Sequence, residues 1–233
     1  MLKNVKLQTK LLTIGILITA IPLITVSTVI FRQNKRMIQV AEDNSTKMAY
    51  ADLDHIAQGI LGMCKAQQQM LQANLQSSLN VARDILRNNG GIQLSSETVG
   101  WDAVNQQSNV SQRIELPKMT VGDVWLGKIT DMATAAPVVD HVQKLIGGTC
   151  TIFQRINDAG DMLRVCTNVQ KQDGSRAIGT FIPRTNPDGK PNPVIASVLQ
   201  GETYQGRATV VGKTYITAYE PLYDPNKKII GML

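Results

Sequence analysis

The stretch ETYQGRATVVGKTYITAYEPLYDPNKKIIGML, Glu202–Leu233, decides the fold. Thr203–Val211 and Lys213–Leu222 are rich in Thr, Tyr, Val and Ile and meet at Gly212, which predicts a hairpin. Asp224, Pro225 and Asn226 then mark a turn before a final apolar strand, Lys228–Leu233. That strand stops in mid-run, as expected of a chain that continues further.

Moving towards the N-terminus, Asn192 is an N-cap for a short helix that opens at Pro193 and closes at Gly201, after a loop of turn formers over Asn186–Pro193. Arg176–Ile182 reads as a strand, and Cys150–Val169 as two strands joined around Asn157–Gly160. Pro137–Ile146 has helical spacing and stops at Gly147-Gly148. Thr98–Asn105, Val110–Leu116 and Asp123–Leu126 are weaker strand signals. Several antiparallel strands with short helices between them predict an α+β domain over residues 91–233.

Upstream of Gly90-Gly91 the texture changes. Gln33–Asn88 lacks proline, and Leu53, Ile56, Ile60, Met63 and Met70 keep one stripe that Leu71, Leu75, Leu79, Ala82 and Leu86 continue. This predicts one long helix over about residues 33–89. Its stripe exceeds what the following domain can cover, so part of it is expected to pair with a second copy, a parallel homodimer. The alternative is a stripe packed only within its own chain.

Before it runs LLTIGILITAIPLITVSTVIF, Leu11–Phe31, 21 residues without a charge. At 1.5 Å per residue it spans about 30 Å, the hydrocarbon thickness of a bilayer. It exceeds the apolar region of a signal peptide and offers no small-residue cleavage site, which points to an uncleaved transmembrane helix. Three basic residues flank each side, and the terminal amine tips the count towards a cytoplasmic segment 1–10 and extracytoplasmic residues after 32.

The distribution of charge gives a nucleic-acid surface little support. The net charge is +6 from 24 Lys and Arg against 18 Asp and Glu. Six of the basic residues (Lys3, Lys6, Lys10, Arg32, Lys35, Arg36) surround the apolar segment, so the chain from Met37 onward is balanced.

The ordered segments GGTCTIFQ (147–154), GDMLRVCTNV (160–169), RAIGTFIP (176–183), PDGKPNPVIASVLQGETYQGRATVVGKTYITAYEPL (187–222) and KKIIGML (227–233) resemble the Cache 3/Cache 2 fusion sensor domain of bacterial methyl-accepting chemotaxis proteins. WDAVNQ (101–106) and LPKMTVGDVWLG (116–127) resemble its earlier part, so the resemblance covers about Gly91–Leu233. It implies a PAS-like antiparallel sheet carried on a long helix, in a dimeric receptor of the bacterial inner membrane. It also implies a second transmembrane helix, a HAMP linker and a coiled coil beyond this chain, acting on a cytoplasmic chemotaxis kinase and its adaptor. A histidine kinase or cyclic-dinucleotide enzyme with the same sensor, and a membrane-tethered interaction domain, are the alternative readings.

Candidate ligand residues come from strand period. If the final hairpin has a three-residue loop, Val211–Lys213, then Arg207, Thr209, Tyr215, Thr217 and Tyr219 share one face. That set suits a small organic acid or amino-acid-like ligand, because a guanidinium binds a carboxylate bidentately. A two-residue loop breaks the shared face. Arg164, Thr167 and Lys213 are further candidates on neighbouring segments.

Nothing in the sequence assembles a catalytic, metal or cofactor site. His55 and His141 are the only histidines. His55 lies nine residues from Cys64, on nearly the opposite helix face, and Cys64, Cys150 and Cys166 form no CxxC pair. Cys150 and Cys166 face each other only if the loop joining their strands is Asn157–Ala159; otherwise they are buried thiols.

Overall fold

The computed structural model describes residues 6–233. Lys3 and the first half of the predicted cytoplasmic segment 1–10 lie outside the described residues. One helix, α1 (Leu7–Asn88), runs through both compact units into which the chain divides, residues 1–67 and 68–233.

In the first unit, α1 carries an 18-residue window of mean hydropathy 2.4 in which no residue is buried by protein. By length and composition it is able to cross a membrane. The hydroxyls of Thr13, Thr19, Thr25 and Thr28 donate to carbonyls three and four residues back, which hides their polarity within the helix. Thr25 donates to Ile21 O and to Pro22 O, beside the one proline of the helix.

In the second unit the last turns of α1 bury Leu79, Ala82, Ile85 and Leu86, a spacing that keeps one face against the core. The helix ends where Gly91 N–H donates to Leu86 O and Gly90 turns to φ 96°. A Cβ on Gly90 would lie 2.7 Å from Gly122 Cα, so the stop needs glycine for both its conformation and its clearance.

The sheet strands are β1 (Ile92–Asn105), β2 (Ser111–Val121), β3 (Val124–Trp125), β4 (Thr151–Arg155), β5 (Met162–Thr167), β6 (Thr180–Ile182), β9 (Pro221–Tyr223) and β10 (Ile229–Met232). Their order is β3-β2-β1-β6-β5-β4-β10-β9, antiparallel except at the β1–β6 pair. Helix α2 (Val139–Ile146) buries Val139 and Val142 in the same core as the end of α1. Helix α3 (Pro193–Leu199) buries Val194, Ile195 and Val198 against a second cluster that contains Phe153 and Tyr219. As read from the sequence, the Asn192 side chain caps α3 by accepting from Val194 N and Ile195 N.

Two strand expectations are corrected. Arg176–Ile182 is extended only over β6, because Gly179 turns to φ 78°. Lys213–Leu222 is not one strand: β8 (Lys213–Tyr219) pairs with β7 (Tyr204–Val210) in a separate two-stranded sheet, while β9 joins the main sheet. The division falls at Glu220, whose backbone exchanges two hydrogen bonds with Leu233.

The β7–β8 connection is also settled. Val211 and Gly212 have φ 48° and 77°, the two positive values of a two-residue type I′ turn. Valine is a poor occupant, because its branched Cβ crowds the backbone in the left-handed region. Val211→Asn is expected to stabilise the chain by about 1 kcal/mol, read as a higher denaturation midpoint; an unchanged or lower midpoint would mean that Val211 contributes packing beyond its contacts with its small cluster.

Candidate ligand-binding site

A cavity of about 320 Å³ opens between the end of α1, α2 with the Gly147-Gly148 loop, the β4–β5 strands and β8. Leu79, Ala82 and Val142 supply its apolar wall, and Phe153, Arg164 and Tyr219 border it from the strands. Leu233, directly after β10, lines it too, so both the incoming helix and the last residue touch the same space.

Arg164 is the exceptional side chain. It is 0% exposed on the central strand β5. Nη1 donates to Thr180 Oγ1, and the guanidinium carbon lies 4.9 Å from the Phe153 ring centroid. Among the described residues Nε and Nη2 have no acceptor. Burial pulls the guanidinium down to about 10, against a small opposing effect from the Tyr219 phenol. Tyr219 is in turn raised by its own burial, partly offset by the Arg164 charge and a hydrogen bond with Thr217.

Arg176, the second buried guanidinium, is its opposite. Nε donates to Asp131 O at 2.9 Å, Nη1 to Asp140 Oδ1 and Thr167 O at 2.9 Å, and Nη2 to Asp140 Oδ2 at 2.8 Å and Thr134 O at 3.0 Å. It ties α2, the segment before it and the end of β5 together, and keeps no donor free for a ligand.

The structure separates the residues grouped by strand period. Because the turn has two residues, Arg207 pairs with Ile216 and Thr209 with Thr214, while Tyr215 pairs with Ala208 and Thr217 with Gly206. A one-residue change in loop length moves a whole strand face. Tyr215, Thr217 and Tyr219 line the cavity, whereas Arg207, Thr209 and Lys213 are exposed and do not. The shared five-residue face is therefore corrected. Thr167 is buried with its hydroxyl 2.6 Å from that of Thr151 and bonded to Cys150 O, behind the cavity wall.

Sequence reasoning missed Arg176 and the wall formed by α1 and α2. The Gly147-Gly148 pair marked the place, although only as a helix stop. Thr151 stands opposite Thr167 and Ile152 opposite Cys166, so Cys150 and Cys166 are offset rather than facing. Both are free thiols, each pushed up to about 12 by burial. Among the described residues no cluster of three His, Cys, Asp or Glu is placed to hold a metal ion.

The fold is an antiparallel-rich sheet with a helix-covered cavity bordered by one buried guanidinium. The chain belongs to the Cache 3/Cache 2 fusion domain family, whose description it matches over residues 39–233. The match begins within α1, earlier than the Gly91 at which the sequence resemblance starts, so the helix from residue 39 onward is part of the family's domain. Comparisons with curated proteins and with solved structures find no match. Membership makes this an extracellular-type small-molecule sensor domain, and the apolar segment of α1 gives it the arrangement of a membrane protein.

Proposed function

We propose that the chain is the extracytoplasmic sensing region of a transmembrane chemoreceptor, and that it binds a small carboxylate in the cavity bordered by Arg164. The observation that carries this reading is the pair of buried donors, Nε and Nη2, that no protein acceptor satisfies. A buried guanidinium without an anion is costly, and a carboxylate is the partner whose geometry it fits bidentately.

Signal passes from the cavity through Leu233, which lines it and pairs with the Glu220 backbone. Arg83 on α1 donates through Nε to Glu220 Oε1 at 3.2 Å and through Nη2 to Oε2, and the Glu220 backbone holds Leu233. A ligand that binds two arrangements of these elements with different affinity shifts the balance between them. In the receptor, a homodimer in the inner membrane turns that shift into control of a cytoplasmic chemotaxis kinase and its adaptor, with residues after 32 outside the cytoplasm. The domain boundaries 1–10, 11–31, 33–89 and 91–233 are assigned on this reading.

A thermal-shift screen of the whole chain in detergent micelles tests it. Small organic acids are expected to raise the melting temperature where amines and neutral alcohols do not, since a ligand at 100 times its Kd adds about 2.7 kcal/mol. Equal shifts with neutral alcohols, or none with any acid, would overturn the assignment of an anion site.

A further inference from the structure

A cavity with one cation on its wall and no anion selects among acids by more than the carboxylate. We infer that this chain takes a monocarboxylate with an apolar body and rejects α-amino acids and dicarboxylates, an inference that rests on Arg164 being the anion anchor.

Among the described residues Arg164 is the only charged one lining the cavity, and no Asp or Glu lines it. A ligand ammonium would lose its hydration without meeting a carboxylate, and a second ligand carboxylate would lose its own without meeting a second cation. Glu220 does not serve the first, because its carboxylate is held by Arg83. Arg176 does not serve the second, because Asp140 and three carbonyls occupy it.

The remaining wall favours carbon. Leu79, Ala82 and Val142 face the space that the body of the ligand would fill, and Phe153 and Tyr219 flank the guanidinium side. A cavity of about 320 Å³ has room for about ten non-hydrogen atoms at roughly 30 Å³ each. Phenylacetate has that size with a single carboxylate. Discrimination is strongest where a polar group would be stranded and weak between apolar bodies differing by one methylene.

Calorimetric titration of the whole chain in detergent micelles with sodium phenylacetate, phenylacetamide, L-phenylalanine and succinate, each also on Arg164→Met, tests the inference. Phenylacetate is expected to bind at least about tenfold more tightly than the other three and to lose at least about tenfold in Arg164→Met. Succinate or L-phenylalanine binding as tightly as phenylacetate, with loss in Arg164→Met, would overturn the ligand class and leave the anion anchor standing. Phenylacetate and phenylacetamide binding equally to the unsubstituted chain, or no binding by any of the four, would overturn both. The acid–amide comparison needs no variant, so it reads the same even if Arg164→Met misfolds.

Discussion

Arg164→Met is expected to raise the stability of the ligand-free chain by about 2 kcal/mol while removing its affinity for carboxylates. Most buried charged residues behave in the opposite way, because deleting one partner strands the other. Arg164 has no ionic partner to strand: its protein contacts are the Thr180 hydroxyl and the Phe153 ring. Burial lowers its pKa to about 10, which corresponds to a penalty of about 3 kcal/mol. Losing the hydroxyl bond and the cation–π contact returns about 1 kcal/mol of that. Thr180 keeps its bond to Ala177 O after the change. Methionine fills a similar length without a charge.

The sign of the pH effect follows from the direction of the shift. The folded value lies below the unfolded one, so the penalty is in full force below about pH 10 and fades as pH rises towards the unfolded value. At neutral pH the gain on substitution is therefore complete. Denaturant unfolding in mild detergent reads it as a raised midpoint without a change in slope. A lowered midpoint would make Arg164 a structural residue and remove the observation on which the proposed function stands.

Arg176→Ala is expected to cost about 3–5 kcal/mol. Every donor of this guanidinium is used, so its removal leaves the Asp140 carboxylate and the carbonyls of Asp131, Thr134 and Thr167 without their partner. For Asp140, burial alone would push the carboxyl up, but the Arg176 hydrogen bonds, the Ala136 N–H and the Arg176 charge together hold it below its ordinary value. A depressed carboxylate contributes stability that is present above its unfolded value near 4 and lost as pH falls through the folded one. The unsubstituted chain should thus lose stability below about pH 4, and Asp140→Asn should flatten that part of the profile. A loss of under about 1 kcal/mol in Arg176→Ala, or an unchanged acid profile in Asp140→Asn, would show that the α2 junction does not depend on this pair.

The two arginines mark the division between what sequence carries and what folding decides. The Asn192 cap, the Gly90-Gly91 stop, the Gly147-Gly148 stop and the stripe through Leu79, Ala82 and Leu86 were legible because each depends on residues a few positions apart. The resemblance to the Cache 3/Cache 2 fusion domain was legible for a related reason, since an ordered series of local motifs survives without any coordinates.

The hairpin face was not legible. Val211 adopts a conformation that local rules reserve for glycine and asparagine, and a loop of two residues instead of three turned Arg207 and Thr209 away from Tyr215 and Thr217. Arg164 was among the further candidates, but residue type could not show that it is the unpaired guanidinium and Arg176 the paired one. The partners that satisfy Arg176 lie up to 45 residues away along the chain, and those that would satisfy Arg164 are absent from its surroundings. Sequence by itself determined the helices, their stops and the Asn192 cap, and the family, but not where every strand begins and ends. Tertiary structure decided which buried charge is paired and which is left open, because that depends on the long-range packing of α1, α2 and β8 around β5.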